Sequence, residues 1–463
     1  MCADRFGAFV RGAAADGRLV VQPRMGFGGV DRMRAGLGAV REARAHTVGT
    51  VTLDSYTRAG DHRSARETLR AGAELNGYPL VVHGPAAYRS MLDGIGGDAF
   101  PVQVRHGSAL PYRLFEAMVD AGVDATEGGP VSYCLPYSRV PLAEAVRNWS
   151  RCCELLAEQG GTTHLESFGG CMLGQLCPPG LLVALSLLEG LFFRQHGLRS
   201  ISLSYAQQTH PRQDLEALAA LRGLATVHLV GLDWHLVLYT FMGSFPHSAV
   251  GSYRLLEDSV RLAVRSGTER LIVKTPAESR RIPTVEENVD ALEFAATMAE
   301  DERLLQCSGR ESSGRESSGR TGVTDARRSP ATEPYGPTRT GLREEAERLV
   351  EATLALSPDV GTALVRAFAR GLLDVPFCLH PDNADRARPM IDHQGLLRWS
   401  RAGAMPVAVA ADSGTPGAGG GGGGGGGRVS GTVGSQQLLD MLGFNQRRFD
   451  REQFADPRLR NPR

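Results

Sequence analysis

"FPVQVRHGSALPYRLFEAMVDAGVDATEGG", Phe100 to Gly129, reads as a strand, a helix and a second strand. "FPVQVRHG" alternates Val102 and Val104 with polar residues, as a strand does. "LPYRLFEAMVDAGV" spaces Leu114, Phe115 and Met118 at helical intervals. "VDATEGG" then supplies the next short strand. Both strands end on groups able to do chemistry: Arg105 and His106 after the first, Glu127 in the second.

The same alternation fills the chain before Cys307. The other strand candidates are "RLVVQPR", "TVGTVTLDSYTR", "YPLVVHG", "THLESFGG", "SISLSYAQ", "VHLVGLDWHLVLYTF" and "RLIVKTPAE", nine in all. Helix-like segments such as "VPLAEAVRNWSRCCELLAEQG" lie between them. Alternating β and α segments call for a parallel sheet. Nine is one more than a closed (β/α)8 barrel holds, and a doubly wound sheet shares the pattern. The strand ends favour the barrel. Arg24, Arg58, Arg105, His106, Glu127, Glu166 and Lys274 all lie at or just past the C-terminal ends of candidates. A barrel brings those ends to one mouth, where its active site lies. Taken singly, each arginine reads as a solvated surface charge or a strand-end ion pair as readily as a ligand contact. Three at neighbouring strand ends repel one another unless an anion sits between them, which points to a polycarboxylate or a phosphate held by guanidinium forks.

The rest of the composition narrows the class. The chain has 463 residues, and 51 Lys+Arg balance 51 Asp+Glu, so no net field draws it to nucleic acid or anionic lipid. The longest apolar run, "LLVALSLLEGLFF" from Leu181, is too short to span a bilayer and contains Glu189. Eight cysteines without a C-x-x-C pair, and no export signal at the N-terminus, fit a reduced, cytoplasmic protein. Residues 1–305 are expected to form the barrel. Residues 306–340, with the repeat "SGRESSGRESSGR", are expected to be a disordered linker or insertion. Residues 341–463 are expected to form a smaller α-rich region packed on the barrel, with a flexible glycine run at 419–427. No Rossmann fingerprint, P-loop or zinc-type cluster is present, and no metal ligand is proposed.

Seven segments carry a resemblance. "QPRMGF", "DSYTR", "LNGYP", "VRHGS", "EGGPVSYCLPYSR", "MGSFP" and "VKTPAES", in this order, resemble the epsilon (large) subunit of glutamate mutase, also called methylaspartate mutase. The match runs from about Arg24 to Ile282. The resemblance implies a TIM barrel and an isomerase of the intramolecular-transferase kind. It implies that the chain interconverts L-glutamate and threo-3-methyl-L-aspartate by radical chemistry. The cofactor would be adenosylcobalamin (coenzyme B12), shared with a B12-binding small (sigma) subunit in a heterotetramer of two large and two small chains.

The resemblance also implies site roles. Arg24, Arg58 and Arg105 match arginines that hold the substrate carboxylates, with His106 beside the last. Glu127 matches the carboxylate on the substrate amino group, and Tyr133 and Tyr137 match tyrosines that touch the substrate. Pro136 lies between them against the cofactor. Gly26, Asn76, Phe245, Lys274, Glu278 and Ile282 match cofactor contacts. Arg139 matches none and reads as a solvent-facing charge that helps seat its turn.

The chemistry of these residues agrees without the name. A dicarboxylic amino acid needs cationic grips for its carboxylates and an anion for its ammonium. Singly, Lys274 and Glu278 read as a surface ion pair, and the tyrosines as packing. Two departures stand out. The family's "FHQWMGGFP" is "LYTFMGSFP" here, so Tyr239 replaces a histidine, with a retuned cofactor contact as the expected consequence. "DWHLVL" at Asp233 begins like the B12 signature D-x-H-x-x-G but has Leu238 in place of the glycine, so it reads as core, and a partner must hold the corrin. Two alternatives remain: a barrel lyase or isomerase acting on another dicarboxylate without B12, and a non-catalytic scaffold for the small subunit.

Overall fold

The structure is a computed structural model that describes residues 4–160, 163–172, 176–315, 340–410 and 433–455. Eight short strands form one parallel sheet. They are β1 Val20–Gln22, β2 Gly49–Thr52, β3 Val102–Arg105, β4 Ala125–Gly128, β5 His164–Ser167, β6 Ser200–Ala206, β7 Asp233–Tyr239 and β8 Arg270–Ile272. Each of β2 to β7 pairs with the next strand in sequence, and β8 pairs with β1. The β1–β2 edge meets through a parallel bridge, Val21 to Thr47, and through Thr52 N donating to Met25 O at 2.8 Å. The sheet therefore closes on itself, and the fold is a (β/α)8 TIM barrel.

The ninth strand candidate, "YPLVVHG", is a helix. Tyr78 makes a single bridge to Leu53, and Leu80–Leu92 is helical with a kink at Gly84. A short apolar run cannot be told from a buried helix by its pattern alone. The kink has a local cause: Gly84 adopts φ 82°, open to glycine, immediately before Pro85. Removing this candidate leaves the eight strands a closed barrel requires.

The outer layer comes from amphipathic helices such as Leu142–Glu158, which buries Val146, Trp149, Cys152, Cys153 and Leu156. Pro179–Gln195 differs, being buried on nearly every side. The barrel covers one side of it, and the helices Leu342–Leu354 and Val360–Ala369 cover another. Leu349, Leu364 and Trp399 accordingly share one buried apolar cluster with the barrel. An antiparallel pair, β9 Arg388–Ile391 and β10 Leu397–Arg401, and the helices Ser435–Leu442 and Phe444–Ala455 complete the C-terminal region.

The helix Val285–Arg315 runs ten residues past the boundary expected at 305 and takes in the start of the expected linker. Extending a formed helix costs much less than nucleating one, so "ESSGR" can continue it despite its polarity. The remainder of that linker, residues 316–339, and the glycine run at 419–427 lie outside the described residues. Among the described residues, no helix is long and apolar enough to cross a membrane.

Candidate active site

The groups at the C-terminal ends of the strands meet at the mouth, and their side chains pair in layers. Beneath them Arg270, the first residue of β8, pairs with Glu166 of β5, both fully buried. Gln103 Nε2 donates to Glu166 Oε2 at 3.2 Å, and Arg270 Nη1 donates to Gln22 Oε1. A buried ion pair stands only when its remaining polar atoms are also satisfied, and this one is.

The next layer holds Arg105 and Glu127. Arg105 Nε donates to Glu127 Oε2 at 2.7 Å, with side chains 5% and 2% exposed. Glu127 Oε1 accepts from Tyr133 OH. Tyr239 OH lies 2.9 Å from Glu127 Oε2 and also against Glu166 Oε1. Arg105 stacks over the Tyr239 ring, its guanidinium carbon 5.3 Å from the centroid. A carboxylate has about four lone-pair positions. Arg105 and Tyr133 take two from Glu127, and the single Tyr239 proton serves either Glu127 or Glu166, which leaves at least one for an incoming donor.

Tyr133 is positioned by a group that sequence reasoning set aside. Glu189, in the middle of the apolar helix Pro179–Gln195, accepts from Val131 N at 3.1 Å, Ser132 N at 2.9 Å, Ser132 Oγ at 3.0 Å and Ser167 Oγ at 2.9 Å. It thereby ties the turn after β4 to the end of β5. A Cβ on Gly129 would run into the Glu189 carboxylate, so the turn can approach only as glycine. Burial pushes the Glu189 carboxyl up to about 7 against the pull of these donors. In the sequence, its one signal is a lone acid inside an apolar run.

His106 is enclosed by Phe115, Tyr133 and Trp149, stacking on the last at 5.9 Å. Burial pulls its imidazole down to about 3, so it is neutral at pH 7. Ser108 N donates to Nδ1 at 3.2 Å, which leaves the proton on Nε2.

The rim is more open. Arg24, partly exposed, lies 3.5 Å from Glu278. Arg58, on the helix Ser55–Ala59 after β2, donates Nε to Asp54 O at 3.3 Å. Tyr137 is 54% exposed, its ring 5.9 Å from that of Tyr133. Lys274 is buried, its Nζ 3.4 Å from Phe241 O and 4.8 Å above the Phe245 ring. Burial pulls its ammonium down to about 8. Glu278 closes a capping box with Thr275. Ile282 is 54% exposed, Asn76 is exposed and accepts from Ser55 N at 2.9 Å, and Pro136 is half-buried. Gly26 packs against the Thr52 backbone, where a Cβ would collide.

The expected site residues thus fall into an inner set (Arg105, His106, Glu127, Tyr133) and a rim set on loops after strand ends. Tyr239 belongs to the inner set, on the carboxylates, rather than on the rim. Arg139 is exposed and donates Nη1 to Leu379 O at 2.6 Å, tying its turn to the C-terminal region. His235 of "DWH" is buried at the bottom of the barrel, stacked on His164 at 4.9 Å. Glu166 was expected at the mouth as a strand-end group and Tyr239 as a cofactor contact, but neither with these partners; Arg270 and Glu189 were not among the expected site residues.

Three of the site cations have carboxylate partners: Arg270 with Glu166, Arg105 with Glu127 and Arg24 with Glu278. The repulsion among strand-end arginines is therefore relieved in part from within. Arg58 and Lys274 have no carboxylate within ion-pair distance among the described residues. The mouth therefore keeps a surplus of positive charge around the buried carboxylates of Glu127 and Glu166.

The fold and this site define a class: a (β/α)8-barrel protein whose mouth holds buried Arg–Glu pairs beneath cations that lack a carboxylate partner among the described residues. The methylaspartate mutase E chain (MutE) family matches residues 2–316 and 331–413, and the chain belongs to that family. The glutamate mutase epsilon subunit of Escherichia coli O157:H7 is 29% identical over 421 residues, 87% of this chain and 81% of that protein. That of Desulfitobacterium hafniense (strain Y51) is 30% identical over 407 residues, 85% and 79% of the two chains. That of Halobacterium salinarum is 30% identical over 418 residues, 87% and 80%. The family is one of mutases, and the chain is a mutase component.

Proposed function

We propose that the chain is the catalytic component of a carbon-skeleton mutase that interconverts L-glutamate and threo-3-methyl-L-aspartate by a radical mechanism. One observation carries the substrate assignment: the buried Arg105–Glu127 pair beneath a mouth with surplus cations. A zwitterionic amino acid can divide that pair. Its α-carboxylate takes the guanidinium fork, and its ammonium takes the remaining lone pair of Glu127. Arg58 and Arg24 serve the second carboxylate. Tyr133 and the neutral His106 add hydrogen bonds without charge, so they position the ligand and leave its charge balance unchanged.

The rim residues fit adenosylcobalamin. Lys274 is a buried cation with a single 3.4 Å acceptor, which leaves donors for a polar ligand. Phe245 offers a flat face, and Ile282, Tyr137 and Asn76 are exposed where a bulky group would cover them. When bound, the cofactor supplies the radical that opens the rearrangement. This chain's residues hold the substrate, and its fragments, in a fixed relation. Without a D-x-H-x-x-G signature, the chain relies on a B12-binding small subunit, in an assembly of two large and two small chains in the cytoplasm.

Calorimetry on the assembled protein tests the substrate assignment. L-Glutamate binds, and glutarate, which lacks the ammonium, binds at least about tenfold more weakly because a charged hydrogen bond is lost. Equal binding of the two would contradict the role given to Glu127.

A further inference from the structure

The Tyr239 phenol touches Glu127 Oε2 at 2.9 Å and lies against Glu166 Oε1, yet it has only one proton to donate. Glu127 and Glu166 are register partners on β4 and β5, so two like-charged side chains stand side by side and share one hydroxyl. Behind Glu166 the polar contacts continue. Ser202 Oγ is 3.4 Å from Glu166 Oε2, His164 Nε2 is 3.0 Å from Ser202 Oγ, and His164 Nδ1 is 2.8 Å from Ser200 Oγ, which donates to Asp4. All of these side chains are buried. The site carboxylate is thus linked through one phenol to a second carboxylate that the substrate cannot reach.

We propose that Tyr239 and Glu166 form a proton relay that carries the substrate's ammonium proton away from Glu127 and returns it. The proposal rests on the amino-acid reading of the mouth. Glu127 takes one proton from the ammonium. It passes that proton to the Tyr239 oxygen while the original phenol proton moves to Glu166 Oε1. The net result is a neutral substrate amine, an ionised Glu127, an intact phenol and a protonated Glu166. The reverse sequence restores the ammonium.

Arg105, Tyr133 and Cys171 face the phenol and Glu127, and Arg270 faces Glu166. Arg270, ion-paired with Glu166, favours the ionised carboxylate, so the proton stays on Glu166 only transiently and is driven back towards the amine. Burial holds the Tyr239 phenol well above its ordinary range, despite the opposing pull of Arg105, so it gives up its proton only as another arrives. Without the relay, a proton accepted by Glu127 would weaken that carboxylate's bond to Arg105. With it, the Arg105–Glu127 geometry stays constant while the amino group changes charge. Tyr239 and Glu166 do not touch the substrate and are positioning residues for the proton.

The test compares wild type, Tyr239→Phe, Tyr239→His and Glu166→Gln in the complete enzyme with small subunit and adenosylcobalamin. Tyr239→Phe is expected to lower kcat on the order of 100-fold, within the range for acid–base groups, with little change in KM. It should also lose the solvent isotope effect on kcat. Tyr239→His, the residue the resembled family carries at this position, both accepts and donates, and should recover most of the loss. Equal damage in the Phe and His variants, or a Phe variant within about twofold of wild type, would overturn the relay. Infrared titration of the purified chain reads the same linkage without substrate turnover. Tyr239→Phe should shift the protonated-carboxyl band that Glu166→Gln removes. A band unmoved by Tyr239→Phe also overturns the relay, whereas a shifted band in a protein that does not rearrange glutamate would sink the substrate assignment, and with it the ammonium as the proton's source, and leave only the Tyr239–Glu166 linkage standing.

Discussion

Glu189→Gln should stabilise the protein at alkaline pH and not at acid pH. Burial raises the folded-state Glu189 carboxyl from 4.5 to about 7. The folded chain therefore binds more protons than the unfolded chain between those values. Its contribution is fully present below the unfolded value and is lost as pH rises through 7. A shift of that size corresponds to about 3 kcal/mol. Glutamine keeps one oxygen to accept from Val131 N and Ser132 N. Its amide donates to the Ser132 and Ser167 hydroxyls, which turn to accept. Asp214 and Glu345 are also raised to about 7, so the wild-type curve alone mixes several groups, and the difference between the two proteins isolates Glu189. Urea unfolding at pH 4.5 and pH 8 should give a stability difference that moves by about 2–3 kcal/mol in favour of the variant. A difference that is flat across this range would refute the buried, charge-penalised carboxylate. Glu189→Leu serves as the control: it leaves two buried backbone N–H groups without acceptors, at about 2–6 kcal/mol, and should lose activity as the Tyr133 turn loosens.

Arg105→Lys keeps the charge but loses the fork that holds Glu127 and a carboxylate, so turnover should fall on the order of 100-fold. Arg139→Lys, at an exposed carbonyl contact, should be mild; the two variants in one steady-state assay check this ranking. Lys274→Met should weaken adenosylcobalamin binding in the assembled enzyme yet stabilise the chain at pH 7. Its folded pKa of about 8 means that the buried charge costs stability below pH 8, and that wild-type stability recovers as pH rises from 8 towards the ordinary lysine value. Thermal unfolding at pH 7 and pH 10 should show the gain at pH 7 shrinking at pH 10. The chain alone should neither turn over glutamate nor retain cobalamin through gel filtration, and retention without a partner would contradict the shared-cofactor reading.

The barrel was legible because strands such as "VQVR" and "ATEG" end on polar groups at regular intervals, a pattern a closed mouth explains. "YPLVVHG" was not, because its valines satisfy strand and buried-helix patterns equally. Arg105 and Glu127 could be named from the sequence, but their direct pairing could not, since it depends on how far the barrel turns between β3 and β4. Tyr239 was visible as a departure from a motif. Its position between two carboxylates depends on β7 facing β4 and β5 across the barrel axis, a relation between residues more than seventy positions apart that no local pattern encodes. Glu189 was hidden for a similar reason. An acid in an apolar helix shows that something must satisfy it, but the turn that does so lies 57 residues earlier.

The most direct measurement of the central claim follows ¹³C-labelled L-glutamate by NMR in the presence of this chain, a B12-binding small subunit and adenosylcobalamin. The account predicts label in the methyl-branched skeleton of 3-methylaspartate, and none when Glu127→Gln replaces the wild-type chain. Unchanged glutamate in an assembly that has formed and bound the cofactor would contradict it.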